Sequence, residues 1–180
     1  MSSQIGSEEK TILELLDQIV HSSDLQTALQ PIVRRVRQQL ATQPNAVMGW
    51  EPIATLVLGD RLPPGIRSGW VFILRAGVNT GPERHPNSHQ RMMSFIGTGD
   101  LQTRETSDSP WKSNVLVSDP AKPVEQRWIS IPPNVWHQPV TPAGEDWVVV
   151  SFHTVAAAEL IEERPSPADR SGTKQMHYVS

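Results

Sequence analysis

Near residue 48 the chain changes rhythm. Before that point apolar residues recur every three or four positions: Ile12, Leu13, Leu15, Leu16, Ile19 and Val20 form one set, and Leu25, Leu29, Ile32, Val33, Val36 and Leu40 a second. This spacing predicts two amphipathic helices, over 7–21 and 23–40, each with one apolar stripe to bury. Ser23 with Gln26 has the form of a capping box for the second helix, and Pro31 falls where it should kink or restart that helix. Packing against the rest of the chain is the simplest use of both stripes.

From Trp50 onward the texture is β-rich: EPIATLVLG, GWVFILR, QRMMSFIG, NVLVSD, QRWISI and DWVVVSFHTV. Turn signals separate these runs, at Pro63-Pro64-Gly65, Gly81-Pro82, Gly97-Thr98-Gly99-Asp100, Asp119-Pro120, Pro132-Pro133-Asn134 and Pro142-Ala143-Gly144. No helical pattern long enough for a crossover lies between them, which disfavours a parallel sheet and predicts a mainly β domain, a small antiparallel barrel or double sheet. The six tryptophans mostly sit in strand-like segments and suit a barrel core or its helical cover. The last stretch, ERPSPADRSGTKQMHYVS, is polar and rich in Pro and Ser, and is expected to lie loosely on the surface. The expected organisation is a helical segment over 1–48, a barrel over 49–160 and a tail over 161–180.

At 180 residues the chain has the size of one domain. Cysteine is absent, so disulfides, a thiol nucleophile and thiolate ligands are excluded, and any metal would be held by nitrogen and oxygen. A net charge of -3 and a pI near 6.1 give no basic footprint for nucleic acid, and Arg34-Arg35-Val36-Arg37 reads as the wet face of a helix. The start has no signal-peptide pattern, and no apolar run approaches the ~20 residues that span a bilayer. These features predict a soluble, cytoplasmic protein whose partner is a small-molecule substrate or ligand rather than nucleic acid or membrane. Exposed barrel edges would also admit a homodimer.

Against that background the decapeptide GPERHPNSHQ, residues 81–90, stands out: it places Glu83, His85, Asn87, His89 and Gln90 together in a chain with six histidines. On an extended segment Glu83 and His85 share a face, and Asn87 and His89 continue it if the segment stays extended. A third group is available in IPPNVWHQP, where His137 follows a proline-rich turn at which a barrel strand would restart. Glu83, His85 and His137 together form a 2-His-1-carboxylate set, the arrangement that leaves open positions on non-haem iron(II). The competing reading is an ordinary polar loop in which Glu83, beside Arg84, meets only solvent or a cation. Imidazole and carboxylate with open positions favour Fe(II), and the same ligands accept nickel, zinc or manganese. Around such an ion, His153 or His89 could orient a ligand, Gln90 could hydrogen-bond at the pocket wall, and Arg75, at the end of GWVFILR, could grip a substrate carboxylate.

The spacing of these residues resembles that of the cupins, small antiparallel jelly-roll barrels. Their first motif runs H-x-H, four residues, E, six residues, G. Here Glu83-x-His85, four residues, Gln90, six residues and Gly97 keep it. Their second motif contains P-x-G-x-x-H, and Pro132-Pro133-Asn134-Val135-Trp136-His137 keeps it with Asn in place of Gly. Within the superfamily, His85-Pro86-Asn87-Ser88-His89 is similar to the H-x-H-x-x-S-H stretch of cysteine-dioxygenase-like thiol dioxygenases. Val149-Val150-Ser151-Phe152-His153 resembles the strand that carries their outer histidine. The resemblance covers about residues 68 to 156. It implies a cupin-type antiparallel double-stranded β-helix preceded by N-terminal helices, a divalent metal held by Glu83, His85 and His137, and supporting roles for His153, Gln90 and Arg75.

The departures alter the implied chemistry. That family holds iron with three neutral histidines, whereas Glu83 would bring an Fe(II) centre nearer +1 than +2 and make an anionic thiolate bind less well. The family's pocket cysteine matches Gln90 and its pocket tyrosine matches Val155, while the chain's one tyrosine, Tyr178, lies in the expected tail. Two principal functions follow: a dioxygenase-like iron oxidoreductase acting on a small substrate, or a non-catalytic cupin that binds or senses a small molecule. A purely structural β domain is the third.

Overall fold

The computed structural model describes residues 6–106, 108–166 and 172–179. Helix α1 (Ser7–Val20) buries Leu13, Leu16 and Val20, and α2 (Ser23–Thr42) buries Leu25, Leu29, Ile32, Val33, Val36 and Leu40, the stripes that the periodicity predicts. The cap of α2 lies one residue earlier than expected: the Ser22 hydroxyl accepts from the Leu25 N–H at 3.4 Å, while the Gln26 side chain reaches back to the Val20 carbonyl at 2.8 Å. Pro31 sits inside α2, which continues through it as one element.

Strands β1 (Met48–Ile53), β2 (Ser68–Leu74), β3 (Gln90–Ile96), β4 (Thr98–Arg104), β5 (Val115–Val117), β6 (Trp128–Ile131), β7 (Trp136–Val140) and β8 (Trp147–His153) form two antiparallel sheets, with orders β1-β2-β8-β3-β6 and β5-β4-β7. The helices cover the outer face of the first sheet, where Val71, Ile73, Met93, Val148, Val150 and Phe152 join the apolar stripes of α1 and α2 in one core. The alternate residues Trp70, Phe72, Met92, Trp147 and Val149 point between the sheets and meet Leu101, Leu116 and Ile131. Each fully buried Leu, Ile or Val contributes about 1.5–3 kcal/mol relative to exposure, so the outer core alone is enough to fix which face the helices cover. This is the mainly β, helix-preceded double sheet expected of a cupin-type jelly roll.

The departures from the sequence pattern are local. EPIATLVLG divides into β1 and the short α3 (Thr55–Leu58), and QRWISI into the short α4 (Val124–Arg127) and β6. Gly97-Thr98-Gly99-Asp100, read as a turn, opens β4. Gly99 is there for packing, because a Cβ at this position would lie 2.1 Å from the Trp147 ring. The expected loose tail is ordered where it is described: β9 (Ile161–Pro165) pairs antiparallel with β10 (Thr173–His177), and Glu162 and Glu163 are buried. Bridges Glu83↔His137 and Arg84↔Glu163 place the 83–84 segment between β7 and β9, so the last strands border the region where the sequence places its metal ligands. No helix among the described residues is long and apolar enough to cross a membrane.

Candidate metal centre

Backbone pairing brings the two motif segments together. The Glu83 N–H donates to the His137 carbonyl at 2.8 Å and the His137 N–H returns a bond to the Glu83 carbonyl at 2.8 Å. Residues directly opposite in an antiparallel pair send their side chains to the same face. The Asn134 N–H donates to the His85 carbonyl at 3.1 Å, with Asn134 in the left-handed region at φ 67°. This is the motif position where the resemblance expects glycine, and asparagine is among the few other residues that tolerate it.

The histidines are turned by backbone carbonyls. His85 Nδ1 lies 2.9 Å from the Ile161 carbonyl and His137 Nδ1 lies 3.2 Å from the Val135 carbonyl. A carbonyl only accepts, so each Nδ1 carries the proton and each neutral ring presents an Nε2 lone pair. His137 Nε2 is buried with no hydrogen-bond partner. It lies 3.4 Å from Glu83 Oε1, near the roughly 3 Å between adjacent ligands of an ion with bonds of about 2.1 Å. One ligand atom from each of Glu83, His85 and His137 lies within 4.8 Å of the others, and all three residues are buried. The residues fit a divalent ion in atom type, orientation and spacing.

Electrostatics favours the ligating forms of His85 and Glu83. Burial, and next the neighbouring His137, push His85 down to about 4, so it is neutral at pH 7. Burial opposes ionisation of Glu83, yet the contact with His137 and then the Arg164 charge hold the carboxyl below its usual range. Arg164 donates to Glu83 Oε2 at 2.5 Å, to Glu162 Oε1 at 2.5 Å and to the Thr80 carbonyl at 2.8 Å. Burial and then the Glu83 charge raise Glu162 to about 8.

The supporting residues divide into those near the triad and those elsewhere. His153, fully buried, packs edge-on to His85 with ring centres 5.0 Å apart; Ser88 Oγ lies 3.2 Å from its Nδ1 and Ser151 Oγ 3.1 Å from its Nε2. Both nitrogens are engaged, so His153 holds an orientation beside the triad. Gln90 donates to Ser151 Oγ at 3.0 Å and keeps its Oε1 buried without a partner. His89 turns away from the triad, because the chain turns at Pro86-Asn87; its Nε2 lies 2.7 Å from Ser130 Oγ and 3.8 Å from Glu9. Asn87 instead holds the start of β9 through the Glu159 carbonyl and the Ile161 N–H.

Arg75 is a correction. Its guanidinium donates to the carbonyls of Ala46, Leu40 and Gln43 at 2.6, 2.7 and 3.1 Å, which occupies it at the C-terminal end of α2 instead of in a substrate pocket. That end has no basic residue of its own, and an arginine from β2 supplies both charge and donors. The expected tail supplies what the sequence reading lacks. Besides Arg164 and Glu162, Tyr178 lies between the sheets, its ring 5.5 Å from Trp70, 5.5 Å from Phe72 and 6.4 Å from His85. The alternation of Glu162 and Arg164 about Glu163 was the available signal, but charged alternation ordinarily marks an exposed strand. A cavity of about 1060 Å³ opens beside the barrel, with Leu116, Ile131 and Val135 in its wall; none of the triad lines it.

No protein-family model matches the chain, and no curated protein does. Solved structures similar to it include the capsular polysaccharide assembling protein CapF from Staphylococcus aureus, at 13% identity over 74% of this chain and 32% of CapF, with a TM-score of 0.48. Oxalate oxidase in complex with glycolate is similar at 14% identity over 61% of this chain and 52% of the oxidase, with a TM-score of 0.47. BH2720 from Bacillus halodurans is similar at 19% identity over 49% of this chain and 62% of that one, with a TM-score of 0.42. The chain spans about a third of the length of CapF and about half that of the oxidase.

Proposed function

We propose that this chain is a metal-binding cupin acting as a non-haem iron(II) oxidoreductase, dioxygenase-like in its chemistry, on a small substrate that carries a thiol or a carboxylate. The observation that carries the reading is the pair of histidines whose Nδ1–H groups are tied to backbone carbonyls, which leaves Nε2 of each ring as the free nitrogen beside Glu83, His137 Nε2 at 3.4 Å from Oε1. His85 and His137 would hold the ion through Nε2 and Glu83 through Oε1. A ferrous ion in that face-capping set supplies Lewis acidity, one-electron chemistry and open coordination positions.

The surrounding side chains do the rest. Gln90 Oε1 is free to accept from a substrate N–H or O–H, and its amide is aimed by Ser151. His153 keeps the His85 ring in place by edge contact. Trp70, Phe72 and Tyr178 form an apolar wall that keeps water away. Arg164 returns the positive charge that Glu83 takes away, so an anionic thiolate or carboxylate meets a centre near +2 after all. A second reading, a cupin that binds or senses a small molecule without turnover, is favoured by Tyr178, whose ring already fills space 6.4 Å from His85.

The test is anaerobic reconstitution with Fe(II) of the wild type, His85→Ala and His137→Ala, followed by metal analysis and oxygen uptake with small thiols and carboxylic acids. Near-stoichiometric iron in the wild type, lost in both variants, together with substrate-dependent oxygen uptake, is the expected result. Bound iron without uptake supports the non-catalytic cupin, and a wild type without metal overturns the oxidoreductase and leaves a barrel that binds a small molecule.

A further inference from the structure

The two oxygens of Glu83 have different partners. Oε1 faces His137 Nε2 at 3.4 Å, while Oε2 takes the Arg164 guanidinium at 2.5 Å. Arg164 has little freedom to swing aside. Its Nε is bonded to Glu162 Oε1 at 2.5 Å and its Nη1 to the Thr80 carbonyl at 2.8 Å, so the guanidinium is pinned at three points, two on the 80–83 segment and one on its own strand. Glu162 is itself fully buried and keeps one oxygen without a partner, which ties the cation to the interior. The arginine fork makes this geometry, because three donors at fixed angles meet three acceptors at once. A lysine ammonium has the charge but not the fork.

We propose that Arg164 is a positioning residue that restricts Glu83 to one oxygen as a metal ligand and, as a competing cation, weakens the site's hold on a divalent ion. The inference rests on the metal reading above. A carboxylate with one oxygen locked in a charge-assisted bond offers a single donor, and the position that a second carboxylate oxygen would fill stays open. The same cation lies close enough to repel the ion. The site is thereby built for openness at the expense of affinity.

The experiment uses the full chain and Co(II), whose visible absorption weakens as its coordination number rises. Wild type, Arg164→Gln and Arg164→Lys are titrated with Co(II) against a chromophoric chelator, and circular dichroism verifies the fold of each. Arg164→Gln removes both charge and fork. It should bind Co(II) about tenfold more tightly, as expected from losing one nearby like charge at an interior effective dielectric, and its visible band should weaken as Glu83 closes onto the ion with both oxygens. Arg164→Lys keeps the charge but not the fork, so its band should weaken while its affinity stays within about threefold of wild type. Unchanged bands in both folded variants overturn the positioning role. Weaker binding by folded Arg164→Gln overturns the competition. A wild type that takes up no Co(II) is separable from either result and overturns the metal reading together with this inference.

Discussion

Glu162 offers a test of the buried network through folding stability, without any metal. The residue is fully buried, shares Arg164 with Glu83 and leaves Oε2 without a partner. Burial and then the Glu83 charge raise it to about 8, from about 4.5 in an unfolded chain. Between those values the folded protein keeps a proton that the unfolded chain has released, so stability is present at low pH and is lost as pH rises toward 8. The limiting slope for one proton is about 1.4 kcal/mol per pH unit. The buried histidines act with the opposite sign in a different window. His85, His153 and His89 are held below their usual value by burial first, so the unfolded chain takes up protons that the native state refuses, and stability falls as pH drops below about 6.5. The lowered carboxylates Glu9, Asp17 and Glu83 titrate lower still. Glu162 therefore dominates between about pH 6.5 and 8, where the wild type should lose roughly 1–2 kcal/mol. Urea unfolding of chelator-treated protein, followed by tryptophan fluorescence across that window, measures the loss. Glu162→Gln keeps an acceptor for Arg164 but cannot titrate, so its stability should stay level over the same range, whatever its absolute value. Parallel declines in wild type and variant would refute the assignment.

Two further substitutions test the architecture around the site. Arg75→Ala removes the donors to three carbonyls at the end of α2 and should cost about 1–3 kcal/mol in urea unfolding while leaving metal affinity unchanged; a normal stability with lost ligand binding would restore the arginine to the pocket. Gly99→Ala puts a methyl group 2.1 Å from the ring of Trp147, which is itself fully buried and bonded to Ser94 through its indole N–H at 2.9 Å. The variant should lose about 3 kcal/mol or more and show an altered near-ultraviolet tryptophan signal, and a change under about 0.5 kcal/mol would show that the ring gives way freely.

What the sequence reveals here depends on whether the cause of a structure is local. The helical stripes are legible because Leu13, Leu16 and Val20 lie on one face by geometry alone, and strands such as SGWVFIL are legible because every residue in β2 is buried. Strand β4 is not legible, since TGDLQTR is polar and contains a glycine whose reason is the Trp147 ring, 48 positions further on. The same distinction runs through the site. Glu83 and His85 are two residues apart, so their shared face follows from an extended backbone; extending that alternation to His89 fails because the turn at Pro86-Asn87 resets it. His137 is placed by strand register, whose traces in the sequence were a proline-rich turn before a strand and the motif spacing from Pro132 to His137.

Charge is the least local property of all, and it changes the chemistry most. Counting only Glu83, His85 and His137, the carboxylate makes the triad poorer in positive charge than three neutral histidines would be. That count is incomplete, because Arg164 stands 2.5 Å from the same carboxylate and belongs to a segment that reads as a polar tail. Nothing in EERP, residues 162–165, calls for burial: Glu162 and Arg164 look solvated until Glu83 is placed beside them, at which point the arginine faces two carboxyl groups and one of them holds a proton more readily. The charge at the triad is set by every ionised group within a few ångströms in a medium of low dielectric. For this chain that set is assembled from residues 83, 162 and 164, and the ligand motif contains only the first of them.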